Sequence, residues 1–244
     1  MIRFDSVSKK FGKKNILDKI DFHVNEFDLC ALVGNNGSGK TSIIRILCNL
    51  LPQSSGDVFI KGVRLSSNYV SYKNDFGIIL STPYFIKEFN TLDYLSFVGK
   101  FQKVEKSLLK NRINDLIELL SIENLDSKIE LLSSGAQMKV SIAAALIHNP
   151  SVLILDEPFV NLDIIATQKI ISLLKKFRGK KTLIITSHDL QIITELCNKV
   201  LILEKGKIIA QIDNPNFDSI DFKAKINDFL IQNSSELVAP NWLK

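Results

Sequence analysis

Eight residues, Gly34-Asn35-Asn36-Gly37-Ser38-Gly39-Lys40-Thr41, restrict this chain more than any other stretch. Before them, Asp28–Val33 is a nearly continuous apolar run, the pattern of a strand buried on both faces of a parallel sheet. After them, Lys40–Leu51 carries apolar residues at helical spacing. Strand, glycine-rich turn and helix in that order predict an α/β fold. The glycines let successive backbone N–H groups turn inward toward an anion, and the helix adds the positive end of its dipole.

The spacing fits G-x-x-x-x-G-K-[ST], the Walker A loop. With glycine near ~7% of residues, a chance match in a chain of this length is on the order of one in a hundred, so the loop is read as a nucleotide site. Lys40 can reach the β- and γ-phosphates of ATP, and the Thr41 hydroxyl can ligate Mg2+. A second centre is Ser151-Val-Leu-Ile-Leu-Asp156-Glu157-Pro158, an apolar strand ending in two acids at the carboxyl edge of the sheet. Side chains alternate along a strand, so the two acids can have different duties. Asp156 is the candidate for Mg2+ through its water shell, and Glu157 for orienting and deprotonating the attacking water.

The remaining pattern fills in an α/β chain. Ile2, Phe4 and Val7, then Ile20, Phe22 and Val24, alternate as half-buried strands, and short strands are expected at Val58–Ile60 and Phe76–Leu80. From Thr91 to Ile122 the period is helical, with Thr91 or Asp93 helping to start it and Leu108, Ile113, Leu116, Ile117 and Leu120 forming its stripe. Strands at 152–155, 182–185 and 200–203 then alternate with helices at 164–177 and 190–196, and a short helix plus a frayed end follows Ser219. The expected organisation is one domain spanning 1–244: an α/β core from 1–82 and 140–218, a helical subdomain at 83–139, and a tail at 219–244.

Composition bounds the setting. The 244 residues are 45% hydrophobic and 23% charged, enough for a packed core. Mean hydropathy is +0.13, yet no apolar run approaches the ~18 residues needed to span a bilayer, and the start lacks the apolar stretch of a signal peptide. Cys30, Cys48 and Cys197 are widely separated, without metal-ligand spacing, and read as buried small residues in a cytosolic protein. The net charge of +5 has its densest clusters at Lys9–Lys14 and Lys175–Lys181; both read as solvated turns, and no nucleic-acid partner is expected.

Leu132-Ser133-Ser134-Gly135-Ala136 precedes a helical run and then the Asp156-Glu157-Pro158 strand end. Together with the Walker A loop, this resembles the ATP-binding-cassette (ABC) ATPases over nearly the whole chain. The resemblance implies a RecA-like P-loop core with a mainly parallel sheet, an N-terminal antiparallel β part and an inserted helical subdomain. Leu132–Ala136 looks like the LSGGQ signature, Phe11 like the aromatic that stacks on adenine, Val160–Asp163 like the D-loop, and Ser187-His188-Asp189 like the switch-histidine segment. By that resemblance His188 touches the γ-phosphate, while His23 and His148 are read as structural or surface. The family's head-to-tail dimer would place Ser133 and Gly135 of one subunit, with Asp163 nearby, over ATP held by Lys40 of the other.

Two departures stand out. Where the family has a Gln after the strand leading into the helical subdomain, this chain has Ser81-Thr82-Pro83-Tyr84; Ser81 is the first candidate to replace it near Mg2+ and water, Thr82 the second. Ser134 and Ala136 depart within the signature, and Ala136 lacks the amide of the usual final Gln. The resemblance implies an ATPase subunit, cytoplasmic and peripheral on the inner face of the cell membrane, that powers a separate polytopic permease. The replacements point to export. Its second cassette could be identical or a paralogue. The apolar stretch Pro83–Ile86 is either the permease's docking point or ordinary core of the insert. The alternatives are a soluble ABC ATPase of ribosome, DNA or iron–sulfur assembly, and a low-turnover regulatory cassette.

Overall fold

The computed structural model describes residues 1–65, 75–86 and 88–232. The chain opens as an antiparallel hairpin of β1 (Ile2–Phe11) and β2 (Lys14–Val24), whose alternate residues Ile2, Phe4, Ile20, Phe22 and Val24 are buried. β3 (Leu29–Val33) leads through the glycine loop into α1 (Lys40–Leu47). β4 (Ser55–Ile60) and β5 (Val63–Arg64) return to the hairpin and complete a four-stranded antiparallel sheet in the order β2-β1-β4-β5.

β6 (Phe76–Ile79) then starts the excursion into α2 (Thr91–Phe101), α3 (Lys106–Leu120) and α4 (Ser134–Leu146). The chain re-enters the core as β7 (Val152–Asp156), α5 (Ile164–Lys175), β8 (Thr182–Thr186), α6 (Leu190–Leu196), β9 (Lys199–Glu204), β10 (Lys207–Asp213) and α7 (Ser219–Gln232). The second sheet runs β10-β9-β3-β8-β7-β6, parallel except for the β9–β10 pair.

β3 is central, and its alternation supplies two cores. Leu29, Ala31 and Val33 join the helices of the excursion, while Cys30 and Leu32 join α1 and the antiparallel sheet. Each fully buried Leu or Ile contributes about 1.5–3 kcal/mol, which is why the run is apolar without alternation. All three cysteines are free and buried; burial pushes the Cys48 thiol up to about 12.

Several expectations change. α1 stops at Leu47, not Leu51, because Cys48 caps it and Asn49 turns to φ +54°. The helical pattern from 91 to 122 is two helices, broken where Lys103 adopts φ +57°. α2 begins at Thr91 with Asp93 in its first turn, as expected, but the capping side chain is Asn90, which accepts from the Asp93 amide at 2.8 Å. In α3 the stripe of Ile113, Leu116, Ile117 and Leu120 meets the core as expected, but Leu109 is buried in place of Leu108, which is 44% exposed. β10 was not expected, since an edge strand with every other residue exposed carries a weak apolar signal. α4 is continuous across 139 and 140. The frayed end expected after α7 lies outside the described residues.

The dense lysine runs are not simply solvated turns. Lys9 is 8% exposed and donates to the Pro52 carbonyl at 2.6 Å, Lys175 pairs with Glu195, and Lys181 donates to Asn149 Oδ1 at 2.7 Å.

β6 lies tight against the C-terminal end of α4. A Cβ on Gly77 would stand 2.3 Å from the Ala145 carbonyl oxygen and 2.8 Å from Pro150 Cγ. Gly77→Ala is therefore expected to destabilise the protein by about 1–3 kcal/mol through overpacking, read as a lower urea midpoint. An unchanged midpoint would show that α4 moves away without cost.

Candidate active site

β3, β7 and β8 end side by side, and the chemistry-bearing residues follow their carboxyl ends. After β3, Gly34 passes so close to β9 that a Cβ would meet the Leu203 carbonyl oxygen at 2.2 Å. Gly39 has φ +115° and leaves α1 without a side-chain cap, so the first amides of that helix are unclaimed by its own chain. The Ser38 hydroxyl is buried with no partner. Lys40 folds back over the loop and donates to the Gly34 carbonyl at 2.7 Å and the Asn35 carbonyl at 3.3 Å. Burial lowers the lysine's pKa, and the carboxylates of Glu157 and Asp156 oppose that shift.

The acids at the end of β7 face different ways, as alternation requires. Asp156 is 1% exposed; its Oδ1 accepts from Thr186 Oγ1 at 2.7 Å and its Oδ2 from Ser81 Oγ at 3.2 Å. Ser81 thus reaches the acid, whereas Thr82 is exposed and, among the described residues, makes no hydrogen bond. Glu157 takes φ +51°, a conformation costing about 1–2 kcal/mol for an L-residue, with its amide anchored on Thr186 Oγ1 at 2.9 Å. The turn leaves Glu157 Oε1 buried, without a hydrogen bond, 3.3 Å from His188 Nε2. Burial raises the Glu157 pKa above the ordinary carboxyl range, and His188 and Lys40 pull against it.

Gly37, Gly39, Asn36, Lys40, Thr41, Glu157 and His188 line one cleft of about 520 Å3. Lys14, Asn15, Ile16, Ser42 and Lys205 line it too. Sequence reading missed these five: the hairpin turn brings the first three to the loop, and Lys205 comes from the β9–β10 turn, which no local motif marks. Phe11 is not on the cleft wall, but it is the cross-strand partner of Lys14 and is 54% exposed, with Lys9 Nζ 4.9 Å from its ring centroid. Of the other histidines, His148 donates through Nε2 to the Phe76 carbonyl at 3.0 Å, and His23 is exposed.

Ser133, Gly135 and Asp163 are elsewhere. They line a second cleft of about 480 Å3 that shares no residue with the first. Ser133 caps α4, accepting from the Ala136 amide at 3.2 Å, and Asp163 caps α5, accepting from the Ala166 amide at 2.7 Å. A Cβ on Gly135 would stand 2.5 Å from the Asn161 carbonyl oxygen, so signature and D-loop are packed backbone to backbone. The amide absent at Ala136 appears one residue later: Gln137 Nε2 lies 3.0 Å from the Ile129 carbonyl oxygen and 3.2 Å from that of Leu132, and donates to both. An amide on the first turn of the helix was the available signal.

Among the described residues no group of three His, Cys, Asp or Glu could hold a metal. One carboxylate flanked by hydroxyls suits instead a hard cation that brings its own water and phosphate oxygens.

The chain is similar to known proteins in sequence and in fold. A family profile described as ABC transporter matches residues 17–160. The uncharacterized ABC transporter ATP-binding protein MJ1023 of Methanocaldococcus jannaschii is 33% identical over 85% of this chain and 76% of its own. The linearmycin resistance ATP-binding protein LnrL of Bacillus subtilis is 31% identical over 86% of this chain and 68% of its own. Proteins named for sulfate/thiosulfate or methionine import match at 30%. In fold, the chain superposes with TM-score 0.81 and 23% identity on the dimeric ATP-binding cassette MJ0796 in a post-hydrolysis state bound to ADP and Pi, over 88% of this chain and all of that one. The chain belongs to the ABC transporter family, as one of its ATP-binding and ATP-hydrolysing subunits.

Proposed function

We propose that two cassettes close head to tail, each Lys40 cleft meeting the Ser133 cleft of its partner, with ATP between them. The separation of the two half-sites into clefts with no shared residue is the observation that carries this reading. Charge supports it: on the first cleft Lys14, Lys40 and Lys205 outnumber Glu157, while on the second Glu123 and Asp163 outnumber Lys139. The backbone amides of 34–41 and Lys40 hold the phosphates, Phe11 flanks the adenine, and Ser133 and Gly135 close over the γ-phosphate.

In this reading Glu157 takes a proton from the water that attacks the γ-phosphorus, the bond to ADP breaks, and His188 holds the γ-phosphate oxygens through the reaction. Thr41, Asp156 and Ser81 would hold Mg2+, which when bound would neutralise phosphate charge. Ser81 has a shorter side chain than the Gln it replaces, but its contact with Asp156 supports that assignment over Thr82.

The cassette powers a separate polytopic permease and is peripheral on the inner face of the membrane. No helix of the described residues is long and apolar enough to cross one. A groove of about 420 Å3 between α2 and the core, lined by Leu50, Phe76, Tyr94, Val98, Phe101 and His148, is the docking place. Gln102 Oε1 and His148 Nδ1 also belong to it and lack partners, leaving acceptors for an incoming segment. Beside it Tyr84 is 77% exposed while Phe85 packs edge-on to Tyr94, so the 83–86 stretch is divided between docking and core. Export is the proposed direction, supported by Ser81 in the Gln position and by the resistance protein among the relatives.

Glu157→Gln is expected to bind ATP, lose turnover and accumulate as a dimer on light scattering. Adding Ser133→Ala should leave ATP binding intact and weaken that dimer by about tenfold or more, a charge-assisted contact being worth ~1.5–3 kcal/mol. An ATP-bound Glu157→Gln that stays monomeric, or a double variant that dimerises equally well, would count against the head-to-tail site.

Ser81→Ala should lower kcat several-fold with little change in ATP affinity; undiminished turnover would mean that Ser81 has not taken the Gln role. Because Glu157 acts ionised and burial raises its pKa, turnover should fall with decreasing pH along a limb above the ordinary glutamate range. A limb at or below that range contradicts its assignment as base. For the partner, gentle solubilisation should recover a multi-spanning protein with the cassette, and recovery of ribosomes or DNA instead would overturn the transport reading.

A further inference from the structure

We propose that the corner between α2 and α3 docks on an anionic phospholipid surface. Phe97 and Phe101, one turn apart on α2, are 44% and 64% exposed, and their rings stack with centroids 6.3 Å apart. Phe89 meets Phe97 edge-on at 5.8 Å, so the three rings form one apolar ridge. Phenylalanine has no polar end to keep in water, and an exposed ridge of this kind stabilises whatever apolar phase covers it.

The ridge is flanked by cations. Lys100, Lys103, Lys106 and Lys110 are all exposed, and among the described residues none of their side chains is in an ion pair or hydrogen bond. Glu105, the single acid between 97 and 110, accepts from the Ser107 hydroxyl. By contrast Lys9, Lys175 and Lys181, in the densest lysine runs of the sequence, are tied into the fold. Lys10, Lys13, Lys14, Lys176 and Lys180 of those runs are exposed and free as well, but the α2–α3 corner sets its free lysines beside a ridge of exposed rings, the pairing that binds an interface of hydrocarbon and negative headgroups.

A nucleic acid fits less well, because the three rings pack against one another as a ridge instead of standing apart as platforms for successive bases. Phe101 also lines the groove assigned above to the permease, so the corner would face the bilayer beside that partner. That placement rests on the permease reading; the lipid binding does not.

The test is co-sedimentation of the whole chain with phosphatidylcholine vesicles, with and without roughly one-quarter phosphatidylglycerol. Each lysine near such a surface gives roughly a fivefold gain in partitioning, so Lys103→Glu with Lys106→Glu should reduce binding at least about 25-fold. Phe101→Ser should reduce it about tenfold. Lys176→Glu with Lys180→Glu makes the same change in net charge away from the corner and should leave binding within about threefold, while high salt should weaken it in the unchanged protein. Thermal unfolding of each variant establishes that it is folded. No preference for phosphatidylglycerol, an equal loss in the Lys176/Lys180 variant, or tighter binding to a DNA duplex at the same salt would overturn the proposal.

Discussion

The close approach of Gly34 to the carbonyl of Leu203 is the contact on which the rest of the site depends. It lets β3 end flush against β9, so that the chain can turn at once into the glycine loop and α1. With β3 central in the sheet, the ends of β8 and β7 come alongside and deliver His188 and Glu157 to the same cleft as Lys40. A side chain at position 34 would need β9 to move, and β9 is held by β3 on one side and β10 on the other. Chemistry at the carboxyl edge is therefore a consequence of packing in the sheet as much as of the loop's own residues.

How much of this was legible in the sequence depended on the range of the signal. Elements whose cause is local were readable: β3 and β7 from their continuous apolar runs, the loop from its glycines, and α6 to the residue. Misplaced features had tertiary causes. The break at Lys103 leaves the apolar period intact on both sides, and the choice of Leu109 over Leu108 depends on which neighbours α3 meets. β10 is a half-exposed edge, and its partner β9 makes it a strand more than its composition does. The Ser81–Asp156 contact joins residues 75 positions apart, which no spacing rule could reveal, although the family resemblance had singled out Ser81 by its place after the strand at 76–80.

The dense lysine clusters show the same limit for charge. Counting lysines finds Lys9 and Lys181 first, but both turn inward to backbone or amide oxygens and fix loops. Such contacts spend a positive charge on folding, and a positively charged side chain so engaged attracts a partner less than a free one. Net charge therefore says little about a binding surface until each cation's own partner is known. Here that accounting removes Lys9, Lys175 and Lys181 from the count, leaves Lys10, Lys13, Lys14, Lys176 and Lys180 free, and sets beside them the sparser lysines of the α2–α3 corner, which adjoin exposed rings.

The signature residues carry two constraints at once, and the constraints are separable. Gly135 cannot gain a Cβ without striking the Asn161 carbonyl, and Ser133 already caps α4 through its oxygen lone pair. Presence of a serine and a glycine there is thus explained by the fold of a single chain, with no phosphate invoked. What the single chain does not explain is the remainder: Ser133 stays exposed with its hydroxyl proton unused, and Gln137 is committed to holding the carbonyls of Ile129 and Leu132 behind it. A loop held from behind while its front donor faces solvent is arranged for something outside the chain. Ala136 brings no amide to the signature, and Gln137 on the next residue anchors the loop from behind, so Ser133 and Gly135 remain supported.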